Sequence, residues 1–116
     1  MINKNDVKSI LISIKKYIDD INSIVKENEV TEAMYKTNVL YRHSLHMCLF
    51  QIGEISKLVP EDFKKQHIDI PWAEMRGLRN VEAHDYDNLD LNEIWKTIEK
   101  DIPDLDVKIN SILNIN

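Results

Sequence analysis

From Val7 to Val25 a set of apolar residues recurs at three- and four-residue steps: Val7, Ile10, Ile14, Ile18, Ile21, Val25. Taken singly, β-branched residues such as these favour strands. A strand, however, alternates faces at every second residue, whereas this spacing, kept from end to end of the run, belongs to a helix with one apolar face. Such a face must be buried against another element. The rest of the chain offers no sheet for that purpose, because 116 residues contain only two glycines and three prolines and no run reads as a hairpin. The sequence therefore predicts an all-α fold: an up-and-down bundle of four main helices plus a short extra turn of helix.

The first helix is expected from Asn3 or Asn5 to Lys26. Thr31, followed by Glu32, reads as the start of a second that runs to about Leu58 and is stopped by Pro60. Leu45, Leu49, Ile52, Ser56 and Val59 form its inward stripe, with Met34, Val39 and Leu40 extending it. Glu61 to Pro71 reads as a turn with a fragment of helix. Pro71 suits the first turn of a third helix, where its missing N–H costs nothing, and that helix should end near His84 or Asp85. Asp90 or Asn92 then caps a fourth helix reaching about Leu113, with a kink or break near Ile102 because Pro103 lies inside it.

One domain, spanning residues 1–116, is expected for a chain of this length. Cys48 stands alone and cannot form an internal disulfide, which fits a reducing cytoplasm. No apolar stretch approaches membrane-spanning length, and Asn3, Lys4, Asn5 and Asp6 do not begin a signal peptide. A cytoplasmic protein is the expectation. The net charge of −5 argues against a protein that coats nucleic acid through a broad basic face. It leaves room for a few cations concentrated in one cleft, where a local potential matters more than the global one.

One run carries chemistry. Arg79-Asn80-Val81-Glu82-Ala83-His84-Asp85-Tyr86 packs a permanent cation, a side chain that titrates near neutrality and a phenol into about two helical turns. Phosphodiester cleavage needs a group to move protons and a group to hold charge on the phosphoryl oxygens. Taken alone, the run also reads as surface cations, Arg76 and Arg79, paired with Glu82 or Asp85. On a regular helix Asn80 and His84 share a face, and Arg79 and Tyr86 share another, while Arg79 and His84 diverge by about 140°. Arg79 and His84 can meet one phosphate only if the helix loosens before His84 or if two chains share the site across a two-fold axis.

The longer stretch, Ile70-Pro71-Trp72-Ala73-Glu74-Met75-Arg76-Gly77-Leu78 followed by the Arg79–Tyr86 run, resembles the HEPN toxins of prokaryotic toxin–antitoxin pairs, the HepT-like family of small helical ribonucleases. Gln51-Ile52-Gly53-Glu54 is similar to the family's second-helix signature, and Ile94-Trp95 with Asp101-Ile102-Pro103-Asp104-Leu105 to its last helix, so the resemblance covers nearly the whole chain. It implies a two-fold homodimer in which two motifs line one cleft. It further implies a metal-independent endoribonuclease toxin of a type II/VII-like system, with no cofactor and no metal, acting on RNA. His84 would be the acid/base group, and Arg79 would donate to the phosphoryl oxygens. Asn80 would orient His84 or donate to the same phosphate. The attacking group would be the ribose 2′-hydroxyl. The hydroxyl of Tyr86 would be where a partner MNT-type nucleotidyltransferase antitoxin attaches AMP, an anion that repels RNA phosphates.

Other residues carry less. His43, His46 and Cys48 are metal-ligand types whose spacing does not converge on one helix face, and Cys48 reads as a small core residue. His46, four residues after Arg42, faces either the cleft or solvent; His67 reads as structural. Trp72 and Trp95 read as core or interface anchors. Gly53 weakens its helix by about 1 kcal/mol relative to Ala, a cost that a close helix–helix approach, within one chain or across the dimer, would explain. Two readings compete with catalysis: a non-catalytic HEPN module that binds nucleotide or RNA beside its nucleotidyltransferase, and a structural helical dimer. The last predicts that Arg79→Ala matters no more than Lys57→Ala.

Overall fold

The computed structural model describes residues 6–82 and 89–114, and every regular element among them is helical. Helix α1, Val7–Glu27, starts where the Asp6 carboxylate accepts from the Lys8 amide at 3.0 Å. Ile10, Ile14, Ile18 and Ile21 of the anticipated stripe are fully buried, and Leu11 widens it. The helix ends at Asn28 with Glu29 in the left-handed region at φ 50°. The amide of Val30 then returns to the carbonyl of Val25 at 2.9 Å and that of Glu29 to Lys26 at 3.3 Å, which satisfies carbonyls of the last turn.

The expected single helix from Thr31 to Leu58 is two. Helix α2, Glu32–Thr37, begins on the Thr31 cap, whose hydroxyl accepts from Met34 N, and α3, Val39–Ser56, begins one residue after α2 stops. Asn38 makes the break. Its backbone is extended, and its side-chain oxygen accepts from the amides of Leu40 and Tyr41 at 3.0 and 3.3 Å, offering them an alternative to a continued helix. Arg42 Nη1 donates to the Lys36 carbonyl at 2.8 Å, taking one of the acceptors left at the end of α2. The break turns Val39 and Leu40 outward, so they do not extend the inward stripe, whereas Leu45, Leu49, Ile52, Ser56 and Val59 are all buried as anticipated.

After Pro60 come α4, Glu61–Gln66, and α5, Trp72–Gly77. The chain then tightens into a 3-10 turn over Leu78–Glu82, so the regular third helix is shorter than expected. Asp90 caps α6, Leu91–Lys96, by accepting from the amides of Asn92 and Glu93. A π turn over Thr97–Asp101 leads into α7, Ile102–Leu113. The irregularity expected from Pro103 therefore lies in the turn that precedes it, where the proline lacks an N–H and its ring crowds the carbonyl four residues back.

Helix α3 is the hub. It packs against α1 on one side and against α5 and the 3-10 turn on the other, while α7 packs along α1. The ring of Trp95 stacks on Tyr35 at 5.5 Å between centroids, and Lys108 Nζ donates to the Asp69 carbonyl at 2.8 Å, tying the approach to α5 onto α7. Among the described residues no helix is long and apolar enough to cross a membrane.

Candidate functional site on the Arg79 turn

The segment that carries Arg79 is held by its apolar neighbours. Met75 and Val81, one on α5 and one on the 3-10 turn, are buried and anchor both ends. Between them the backbone lies directly on α3 at Gly53. A Cβ built on Gly53 would stand 2.6 Å from the Arg79 amide nitrogen, 3.1 Å from the Met75 carbonyl oxygen and 3.2 Å from the Leu78 carbonyl carbon. The close approach that this glycine suggested is therefore made within one chain, against the motif segment itself.

The next residue of α3 reaches the arginine side chain. Glu54 Oε1 meets Arg79 Nε at 3.3 Å, and Glu54 Oε2 meets Lys57 Nζ at 2.9 Å. The hydrogen bond from Lys57, aided by the Lys57 and Arg79 charges, holds the Glu54 carboxyl below its ordinary value, so it is ionised at neutral pH. The side chains of Arg79 and Glu54 are 44% and 30% exposed. A pair so open to water is screened by solvent and contributes little to stability, so its interest is geometric. Asn80 is exposed on the same turn, about 120° round from Arg79 on 3-10 geometry.

His84 and Tyr86 lie outside the described residues. Of the four predicted site residues the structure places Arg79 and Asn80, on a turn that has already left regular α geometry at Leu78. The divergence of about 140° reckoned for a regular helix therefore does not apply at Arg79. Glu54 was missed as Arg79's partner, since the two are 25 positions apart on different elements. The one hint was a mid-helix glycine beside an acid. Lys57 also proves an unsuitable control for Arg79, because it shares Glu54 with it.

The secondary candidates resolve as packing. His46 faces neither cleft nor solvent: it is 1% exposed, and its Nε2 shares a 2.5 Å hydrogen bond with the Tyr35 hydroxyl. Burial, with a smaller contribution from the Arg42 charge, lowers its pKa to about 4, and burial raises that of Tyr35, so both are neutral at pH 7. Cys48 is a buried core residue whose thiol burial pushes up to about 11. Trp72 donates its indole N–H to the His67 carbonyl at 2.9 Å, and His67 lies against the Phe63 ring. Among the described residues no group of three or more His, Cys, Asp or Glu is placed to hold a metal ion. A groove of about 430 Å³ between α5 and α7 carries Asp69, Glu74, Asp101 and Asp104 against one cation, Lys108, a net negative lining that disfavours RNA.

The description "Ribonuclease HepT-like" belongs to the family model that matches residues 14–112, a span that includes the whole Arg79–Tyr86 run. The chain belongs to the HepT-like family. A Methanocaldococcus jannaschii protein named "Putative RNase MJ1380" is 30% identical over 110 residues, covering 95% of this chain and 99% of that one. A second from that organism, "Putative RNase MJ1216", is 31% identical over 110 residues, or 95% and 89% of the two chains. The Thermococcus cleftensis protein "Probable ribonuclease HepT" is 32% identical over 105 residues, covering 86% and 96%. No solved structure matches the chain. The helical architecture and the family agree with the resemblance drawn from residues 51–54, 70–86 and 94–105.

Proposed function

We propose that this HepT-like protein is a metal-independent endoribonuclease toxin that works as a homodimer and is neutralised by an MNT-type nucleotidyltransferase. The observation that carries this reading is Arg79, an exposed guanidinium on a turn seated on α3, at the head of the Arg79–Tyr86 run in a chain of the HepT-like family. His84 takes the proton from a ribose 2′-hydroxyl, the 2′-oxygen attacks phosphorus, and the bond from phosphorus to the 5′-oxygen breaks. The 5′-oxygen leaves with the proton returned by protonated His84, giving a 2′,3′-cyclic phosphate and a 5′-hydroxyl end. Arg79 donates to the phosphoryl oxygens as their charge grows, and Asn80 orients His84 or donates to the same phosphate. Tyr86 receives AMP from the antitoxin, which places an anion at the cleft and repels RNA.

The exposed face of α3 supports pairing of two copies. Leu40 and Met47 are 74% and 52% exposed, and with Glu54 they fall at seven-residue steps on one side of the helix. A two-fold contact along that line brings both Arg79 turns towards one axis. The test is cleavage of total cellular RNA in EDTA by the wild type beside His84→Ala. Cutting by the wild type alone supports the assignment, and cutting by both variants removes His84 from it. One observation favours the non-catalytic binding module instead: Arg79 already faces a carboxylate in a chain of net charge −5. Absence of cutting by an unmodified wild type, with its mass checked for AMP, selects that reading.

A further inference from the structure

We propose that Glu54 is the positioning residue of Arg79, holding the guanidinium by Nε so that its terminal amino edge is presented to a phosphodiester; this rests on the ribonuclease reading above. A long arginine side chain on a short turn samples many rotamers, and a donor that must meet a developing charge loses its effect when displaced by about 1 Å. Two fixings answer that problem here, both from one turn of α3. Gly53 sets the backbone: with no side chain at 53, the Leu78–Arg79 peptide sits where a Cβ would stand. Glu54 sets the far end through Nε at 3.3 Å.

The choice of nitrogen matters. A carboxylate that took both terminal amino groups would occupy the fork that recognises phosphate, whereas a contact at Nε lies on the guanidinium's inner edge. Glu54 is in turn restrained by Lys57 at 2.9 Å, so the anchor is not a free rotor. Lys57 also restores the local charge: one carboxylate stands between two cations, and the cluster stays positive towards an approaching phosphate. The pair is too exposed for stability alone to account for the arrangement.

The experiment is steady-state cleavage of a short fluorogenic oligoribonucleotide by wild type, Glu54→Ala, Glu54→Gln, Arg79→Ala and the Glu54→Ala/Arg79→Ala double variant. Glu54→Ala is expected to lower kcat about tenfold while KM moves less than about threefold. Glu54→Gln is expected to recover part of that loss, because it keeps the reach of the contact at Nε while giving up its charge. The double variant should be no slower than Arg79→Ala, since Glu54 acts through that arginine. Wild-type kcat in Glu54→Ala, or a further loss of about tenfold in the double variant, overturns the proposal. The Arg79 Nε–H resonance in ¹H–¹⁵N spectra supplies a readout independent of turnover. It should exchange more slowly in the wild type than in Glu54→Ala, with Glu54→Gln between them. Should the wild type cut no RNA, the ribonuclease reading fails while this resonance still decides the contact: unchanged in Glu54→Ala, it sinks the positioning role as well.

Discussion

At position 53 a hydrogen atom is all that fits, and the consequence is measurable. Alanine there drives its methyl against the Arg79 amide at 2.6 Å, which is backbone and cannot swing aside as a flexible side chain would. Overpacking of this kind costs about 2 kcal/mol, or a fall in Tm of roughly 8 °C for a domain of this size. Gly53→Ala should therefore melt early and, by displacing the Arg79 turn, lose more cleavage activity than the melting shift explains. His46 supplies a second prediction. Its native pKa near 4 lies below the ordinary 6.5, so between those values the unfolded chain binds a proton that the folded chain refuses. Stability contributed by neutral His46 is complete above pH 6.5 and falls as the pH drops towards 4, by about 2 kcal/mol between pH 7 and pH 5. Urea melts at both pH values should show that loss in the wild type and a smaller one in His46→Gln; equal losses would mean His46 does not titrate this way. Residue identity alone did not reveal this burial, because the partner that makes it tolerable, Tyr35, lies in another helix.

At the scale of elements, caps were legible and breaks were not. Thr31, and Asp90 or Asn92, read as helix starts from their side chains; Thr31 and Asp90 accept the amides that such caps should. Asn38 has the same chemistry, yet the apolar spacing runs unbroken across it, and periodicity cannot distinguish a continuous helix from two that meet at an angle. The 3-10 turn at Leu78 was equally hidden, since a change from α to 3-10 geometry leaves the order of residues intact. Pro103 was informative because its missing donor is a property of the residue itself. Asn38→Ala should cost about 1 kcal/mol through loss of two accepted amides, read as a lower urea midpoint with unchanged slope. Glu29→Gly should act in the opposite direction: at φ 50° glycine carries no Cβ penalty, and a gain of about 0.5–1 kcal/mol is expected in the same assay.

For the whole molecule the family was legible from the Arg79–Tyr86 run and its flanks, whereas the tertiary contact that completes the arginine was not. Pairing through the Leu40–Met47 line carries its own prediction. On the proposed pairing, Leu40→Asp with Met47→Asp should leave a folded monomer by light scattering and circular dichroism and abolish RNA cleavage, because each proposed cleft would then lack its second motif; a cleaving monomer would remove the shared site. The seat of the 78–82 turn on Gly53 has a wider consequence. The arginine takes its register from α3, the helix it rests on, and not from the stretch of residues 57–71 that leads up to it. That stretch has moorings of its own, in buried Val59 and Ile70 and in Lys108 on the Asp69 carbonyl. Changes confined to its exposed residues should leave the Arg79 turn where it is, provided the bare glycine and its acidic neighbour travel together.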